Sequence, residues 1–212
     1  MVADLLAWGQ DIGRGTSLAG VRGGLPAALR WLETRNFQPD RAILVSLGDN
    51  WTAFFDNHSS EYEPQAEMFV LCERLRTATA HFYYNHDVNS QFFRSACYTY
   101  NWFDDVSNCV VERSVSAVVD ENKWEFCERG SPLPFENVSA YSKRQKSDRL
   151  TSALMREYAL ALGIPFCEPR AYGDEVALLK WNSASKVPDV EIIRLAEACF
   201  GRAALVHLKR SE

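Results

Sequence analysis

The chain has 212 residues, 47% of them hydrophobic and 12% aromatic, with charged residues at 24% of positions spread along its length. That balance excludes a disordered or fibrous polypeptide and predicts one globular domain able to bury a core without a metal or a disulfide staple. A formal net charge of -5 and an isoelectric point near 5.5 argue against nucleic acid or anionic membrane as a partner, because both are held through accumulated Lys and Arg.

In chain order, the first apolar run is Leu5, Leu6, Ala7 and Trp8, shorter than the apolar region of a signal peptide. No later run approaches the roughly 20 apolar residues of a membrane span, so a cytoplasmic protein is expected. Gly9, Gly13, Gly15, Gly20, Gly23 and Gly24 are six of the eleven glycines, and they predict an irregular lead-in over residues 1–24 before a single domain over 25–212. Pro26 opens a short helix over 25–33, with Leu25, Leu29 and Leu32 on one side.

Ala42, Ile43, Leu44 and Val45 form a run too short for a helix and rich in branched residues, which predicts a buried strand over 41–47. Gly48, Asp49 and Asn50 turn the chain into a second strand over 51–55, making a hairpin. Met68, Phe69, Cys72 and Leu75 recur at helical spacing after Pro64 and predict one inward face. Strands follow over 79–84, 96–103 and 109–119. Asp120, Glu121 and Asn122 then turn into a strand over 123–128 that sets Trp124 and Phe126 on one face.

Asn137 or Ser139 can cap a long helix through Leu150, Leu154, Tyr158 and Leu162, stopped by Gly163 and Pro165. A strand over 176–181, a helix from Pro188 to Gly201 and a strand over 203–208 complete the chain. The order predicts the α+β class, a mixed, mainly antiparallel sheet packed with about three to four helices.

For catalysis, Gly48, Asp49, Asn50 and then Asn85, His86, Asp87 resemble two pieces of a metallophosphoesterase pattern, without the Asp-x-His element that should precede them. An enzyme with a dispersed site, a metal-dependent hydrolase around Asp49 and His86, is therefore the alternative reading. A small-ligand binding module is a further one. His58, His81 and His86 have no spacing that brings them together on one strand. Cys72, Cys97, Cys109, Cys127, Cys167 and Cys199 are scattered singly, as buried reduced thiols would be. Gly130, Ser131 and Pro132 read as a turn, since Pro132 removes the donor an oxyanion site would use. Lys143, Arg144, Lys146 and Arg149 form the richest basic stretch, broken by Asp148. No cofactor is called for.

The turn acids Asp104 and Asp105, with Asp56 and the aromatic residues Trp51 and Trp102 nearby in sequence to strand ends, are the candidate contacts of an acidic, aromatic-anchored recognition surface. Two stretches, Trp51 to Asn57 in the order Trp-Thr-Ala-Phe-Phe-Asp-Asn, and Leu133, Pro134, Phe135, Glu136 before the helix ending in Leu162, Gly163, Ile164, resemble segments of small uncharacterised bacterial proteins. The overall character is similar to immunity proteins of polymorphic or contact-delivered toxin systems. That resemblance implies a cytoplasmic protein that binds a cognate protein toxin, which the acidic balance suggests is basic, and neutralises it by occlusion.

Overall fold

The computed structural model describes residues 2–11, 16–21, 24–32, 40–47, 50–56, 65–85, 95–165, 168–181 and 205–209. Its elements are α1 (Val2–Asp11), β1 (Thr16–Val21), α2 (Gly24–Leu29), β2 (Asp40–Leu47), β3 (Trp51–Asp56), α3 (Gln65–Leu75), β4 (Ala78–Asn85), β5 (Ser95–Asp104), β6 (Cys109–Asp120), β7 (Lys123–Arg129), α4 (Ser152–Ala161), β8 (Tyr172–Trp181) and β9 (Leu205–Lys209). The α+β class holds. All nine strands join in one sheet in the order β1-β8-β2-β3-β9-β4-β5-β6-β7. Every pairing among the described residues is antiparallel, where a mixed, mainly antiparallel sheet is expected from the sequence. Within the sheet the two blocks of four strands are joined, among the described residues, by β9, which pairs with β3 on one side and β4 on the other.

The β2–β3 hairpin forms as the sequence predicts, with Leu47 opposite Trp51. The β6–β7 hairpin closes with Asp120 opposite Lys123. Glu121 and Asn122 both have positive φ, 43° and 63°, the primed turn that matches the twist of paired strands. Alternation then sorts the sheet into two faces. Ile43, Val45, Phe82, Tyr98, Val115 and Leu178 point to the first, where Ala28 of α2, Tyr141, Leu150 and Leu154, Met155 and Tyr158 of α4 cover them. Ala42, Leu44, Phe54 and Leu179 point to the second, under Met68 and Leu71 of α3 and Leu6 of α1. Trp51 to Phe55 are all buried, as a strand covered on both faces requires.

Three expectations change. The glycine-rich lead-in holds a helix and a strand: β1 pairs with β8 over six consecutive residues, and sheet pairing supplies the order that local propensity lacks. Phe69 is 47% exposed. The inward stripe of α3 is Met68, Leu71 and Cys72, with Leu75 partly covered.

The long helix after Asn137 is three pieces, 3-10 turns at Val138–Ser142 and Lys146–Asp148 and then α4. Residues 143–149 have no apolar stripe to bury, so the helix starts only where Leu150 and Leu154 provide one. Thr151 caps it by accepting the Leu154 amide at 3.3 Å. The stop is as expected: Gly163 has φ +74°, and Ile164 donates to Ala159 at 2.8 Å while Gly163 donates to Leu160 at 2.9 Å, a Schellman closure. The helix from Pro188 lies outside the described residues.

Candidate functional site

β7 ends at Arg129, opposite Ser114, so β6 continues past it from Arg113 to Cys109 beside β5 alone. At that step Arg113 is fully buried, and all five of its N–H groups are used. Nε donates to both Glu136 oxygens (2.9 and 3.2 Å). One terminal nitrogen donates to the Arg129 and Gly130 carbonyls (3.1 and 2.9 Å), and the other to Glu128 (3.0 Å) and Glu136 (2.6 Å). Glu136 also accepts the Leu133 amide at 3.0 Å and the Tyr141 hydroxyl at 2.8 Å.

A carboxylate can only accept, so the single Tyr141 hydrogen goes to Glu136. The Tyr158 hydroxyl, 3.1 Å away, then donates to Tyr141 while accepting the Asn137 amide at 3.0 Å. Burial alone would raise the Glu136 carboxyl; the Arg113 guanidinium, the Leu133 amide and the Tyr141 hydroxyl outweigh it and hold the group below its ordinary value. Burial pushes the Tyr141 and Tyr158 hydroxyls up, so both stay protonated. The segment Leu133-Pro134-Phe135-Glu136, singled out in the sequence, is thus the arm that carries Glu136 to Arg113. Every partner in the network is internal, and its work is to fasten the end of β7 and the 130–136 connection to β6.

Beyond this clamp the β5–β6 hairpin projects as a tip, from Asp104 opposite Cys109 around residues 105–108. Asp104 accepts the Ser107 hydroxyl (2.5 Å), the Ser107 amide (3.0 Å) and the Val106 amide (3.4 Å). The Ser107 hydroxyl, then the Ser107 amide, outweigh desolvation and, with the Val106 amide, hold the Asp104 carboxyl below its usual range. From the end of α3, Arg76 lays its guanidinium 4.6 Å from the Phe103 ring centre. It donates to Asp105 at 2.9 Å and to Asn108 at 3.2 Å. Between these tethers Val106 is 95% exposed. The tip is therefore a braced turn that holds an apolar side chain out of the sheet, with each adjacent carboxylate engaged internally.

Of the residues expected at a recognition surface, Asp104, Asp105 and the half-buried Trp102, which stacks on Tyr100 at 5.7 Å, meet at this end. Trp51 does not belong with them. It is 2% exposed and its indole donates to the Leu162 carbonyl at 3.0 Å, so it is a core residue that ties the α4 terminus to β3. Asp56 stands at the other end of β3, because the register sets Phe54 level with Val206 and His81 while Thr52 is level with Leu208 and Thr79, next to the tip side.

His81 is buried on β4. Asp49, His58, His86 and Asp87 lie outside the described residues, and with them the alternative hydrolase site. In the basic stretch Lys146 bonds Glu125 at 2.5 Å, while Arg149 donates to the Lys143 carbonyl and lies over Phe126. Sequence reasoning missed Arg113 and Val106, since an arginine in an otherwise valine- and serine-rich strand and a valine between turn residues were the only signals. Among the described residues no helix is long and apolar enough to cross a membrane. No protein-family model, curated protein or solved structure matches the chain.

Proposed function

We propose that the chain is a cytoplasmic immunity-type protein of a bacterium, which binds a cognate protein toxin and neutralises it by occlusion, and that the β5–β6 tip is its point of engagement. The observation that carries this reading is Val106, 95% exposed at the apex of a turn whose neighbours are tethered. A turn held in this way presents its side chain to a partner's socket without the loop-ordering cost of a mobile tip, and burying a valine contributes about 1.5–3 kcal/mol. Asp104, Asp105 and Trp102 form the rim, and the net charge of -5 steers a basic partner toward the protein.

Co-expression with the toxin encoded beside it tests the reading. Protection of the cell and a stoichiometric complex are expected. Val106→Asp, at a position that makes no core contact, is expected to weaken the complex at least tenfold while the melting temperature stays unchanged. A wild-type chain that neither protects nor binds would sink the proposal.

A further inference from the structure

The two edges of the sheet are built differently. The β7 edge carries Lys123, Glu125, Glu128 and Arg129 in seven residues, with Lys146 bonded to Glu125 and Arg149 lying over Phe126. Charge and cover of this kind keep an edge from pairing with another chain. The β1 edge, Thr16-Ser17-Leu18-Ala19-Gly20-Val21, has no charge, no proline and no bulge in its register with β8. Ser17, Leu18, Ala19 and Gly20 are all exposed, Leu18 to 49%. On the first face Trp31, 47% exposed, lies near Lys180, which is opposite Ser17. Leu18 points to the second face, since it is opposite Leu179.

We infer that β1 is the surface on which a second copy of this chain pairs, edge to edge and antiparallel, about a two-fold axis normal to the sheet. β1 carries no charge, so two copies that each bear a net negative charge can pair there without setting like charges opposite each other or burying an unpaired one. A two-fold normal to the sheet leaves each face on its own side, and residues directly opposite must share a face. The register must therefore be centred on a residue rather than between two. Centred on Ala19, it sets Ala19 opposite Ala19 of the second copy, Leu18 opposite Gly20 and Ser17 opposite Val21. The Leu18–Gly20 pairing fits because nothing lies within 4 Å of where a Gly20 side chain would begin, so the leucine of the other copy has room. A strand pair of this length buries less than the roughly 1,200 Å² of a standard interface, so the dimer is weak and concentration-dependent. It is independent of the toxin reading.

The test is sedimentation velocity over a wide concentration range on the full chain and on Ala19→Lys and Ala19→Glu. Wild type is expected to shift from monomer toward dimer as concentration rises. Each variant alone sets like charges opposite each other and is expected to weaken association several-fold, whereas an equal mixture of the two is expected to restore it. That rescue separates a lost contact from a damaged fold, which would leave the mixture monomeric. Concentration-dependent protection of the β1 amides from hydrogen exchange is expected in parallel. A wild type that stays monomeric throughout, variants that associate as wild type does, or a mixture without rescue when both variants melt as wild type does would each overturn the pairing.

Discussion

Arg113 is held between the buried Glu136 and the partly exposed Glu128, while Glu136 accepts from Arg113, Leu133 and Tyr141. Removing Arg113 strands Glu136, and removing the Glu136 charge leaves Arg113 with Glu128 as its charge partner. Arg113→Ala is expected to cost about 3–5 kcal/mol in chemical denaturation, with Glu136→Gln destabilising in the same direction. Changing both to apolar residues is expected to cost less than the sum, since the penalty lies in the unpaired charge. The pH dependence follows from the lowered Glu136 carboxyl. Its folded value lies below the unfolded one of about 4.3, so the contribution is complete above that value and is lost as pH falls through the folded value. The stability gap between wild type and Glu136→Gln should accordingly be widest near neutrality and close in acid; a gap that widens in acid would contradict the assignment. At the exposed tip, Ser107→Ala is expected to let the Asp104 carboxyl rise toward its ordinary range, as read by NMR titration, because the serine hydroxyl is the main cause of its depression.

At the scale of elements, the hairpins were legible and the helix boundaries less so, for the same reason. A hairpin is local: Asp120, Glu121 and Asn122 between alternating runs contain the turn and both strands. The single helix that the sequence predicts over 137–162 is three pieces, because Leu150, Leu154 and Tyr158 continue at helical spacing while the 143–149 stretch before them, though helix-tolerant, has no face to bury. Likewise Trp51 could be placed on a strand from its neighbours, but β3 is buried on both faces, so no alternation told the surface from the core. The turn Glu121–Asn122 shows where local chemistry falls short of its geometry. Both residues are left-handed, a conformation costing roughly 1–2 kcal/mol per ordinary L-residue and one that Asn-Gly adopts readily. Glu121→Asn with Asn122→Gly is expected to raise stability by about 1 kcal/mol, seen as a higher denaturation midpoint. Gly130 marks the opposite case, since at φ +76° an added Cβ would lie 2.3 Å from the Glu112 carbonyl. Gly130→Ala is therefore expected to destabilise by about 2 kcal/mol or more.

For the whole molecule the decisive feature is the position of β9. Its apolar run marks it as a strand, yet nothing in residues 205–209 says that the last strand in sequence lies at the centre of the sheet, because its partners Thr52 to Phe54 and Thr79 to Phe82 are separated from it by most of the chain. Once in place it joins two antiparallel blocks into one sheet, and the helices on the two faces, α3 on one and α4 on the other, pack in clusters that take in residues of both blocks. Such a topology makes the core depend on a late, long-range pairing. Val206 is opposite Phe54 on one side and His81 on the other, and proline there removes a ladder donor and constrains a backbone flanked on both sides. Val206→Pro is expected to expose the facing edges of β3 and β4, to replace a single cooperative melt with a broad or early one, and to promote aggregation through those edges. Thermal melting followed by far-ultraviolet circular dichroism, with light scattering recorded alongside, reads both effects. A single sharp transition at the wild-type temperature, without scattering, would mean that the two blocks hold together without the β9 ladder.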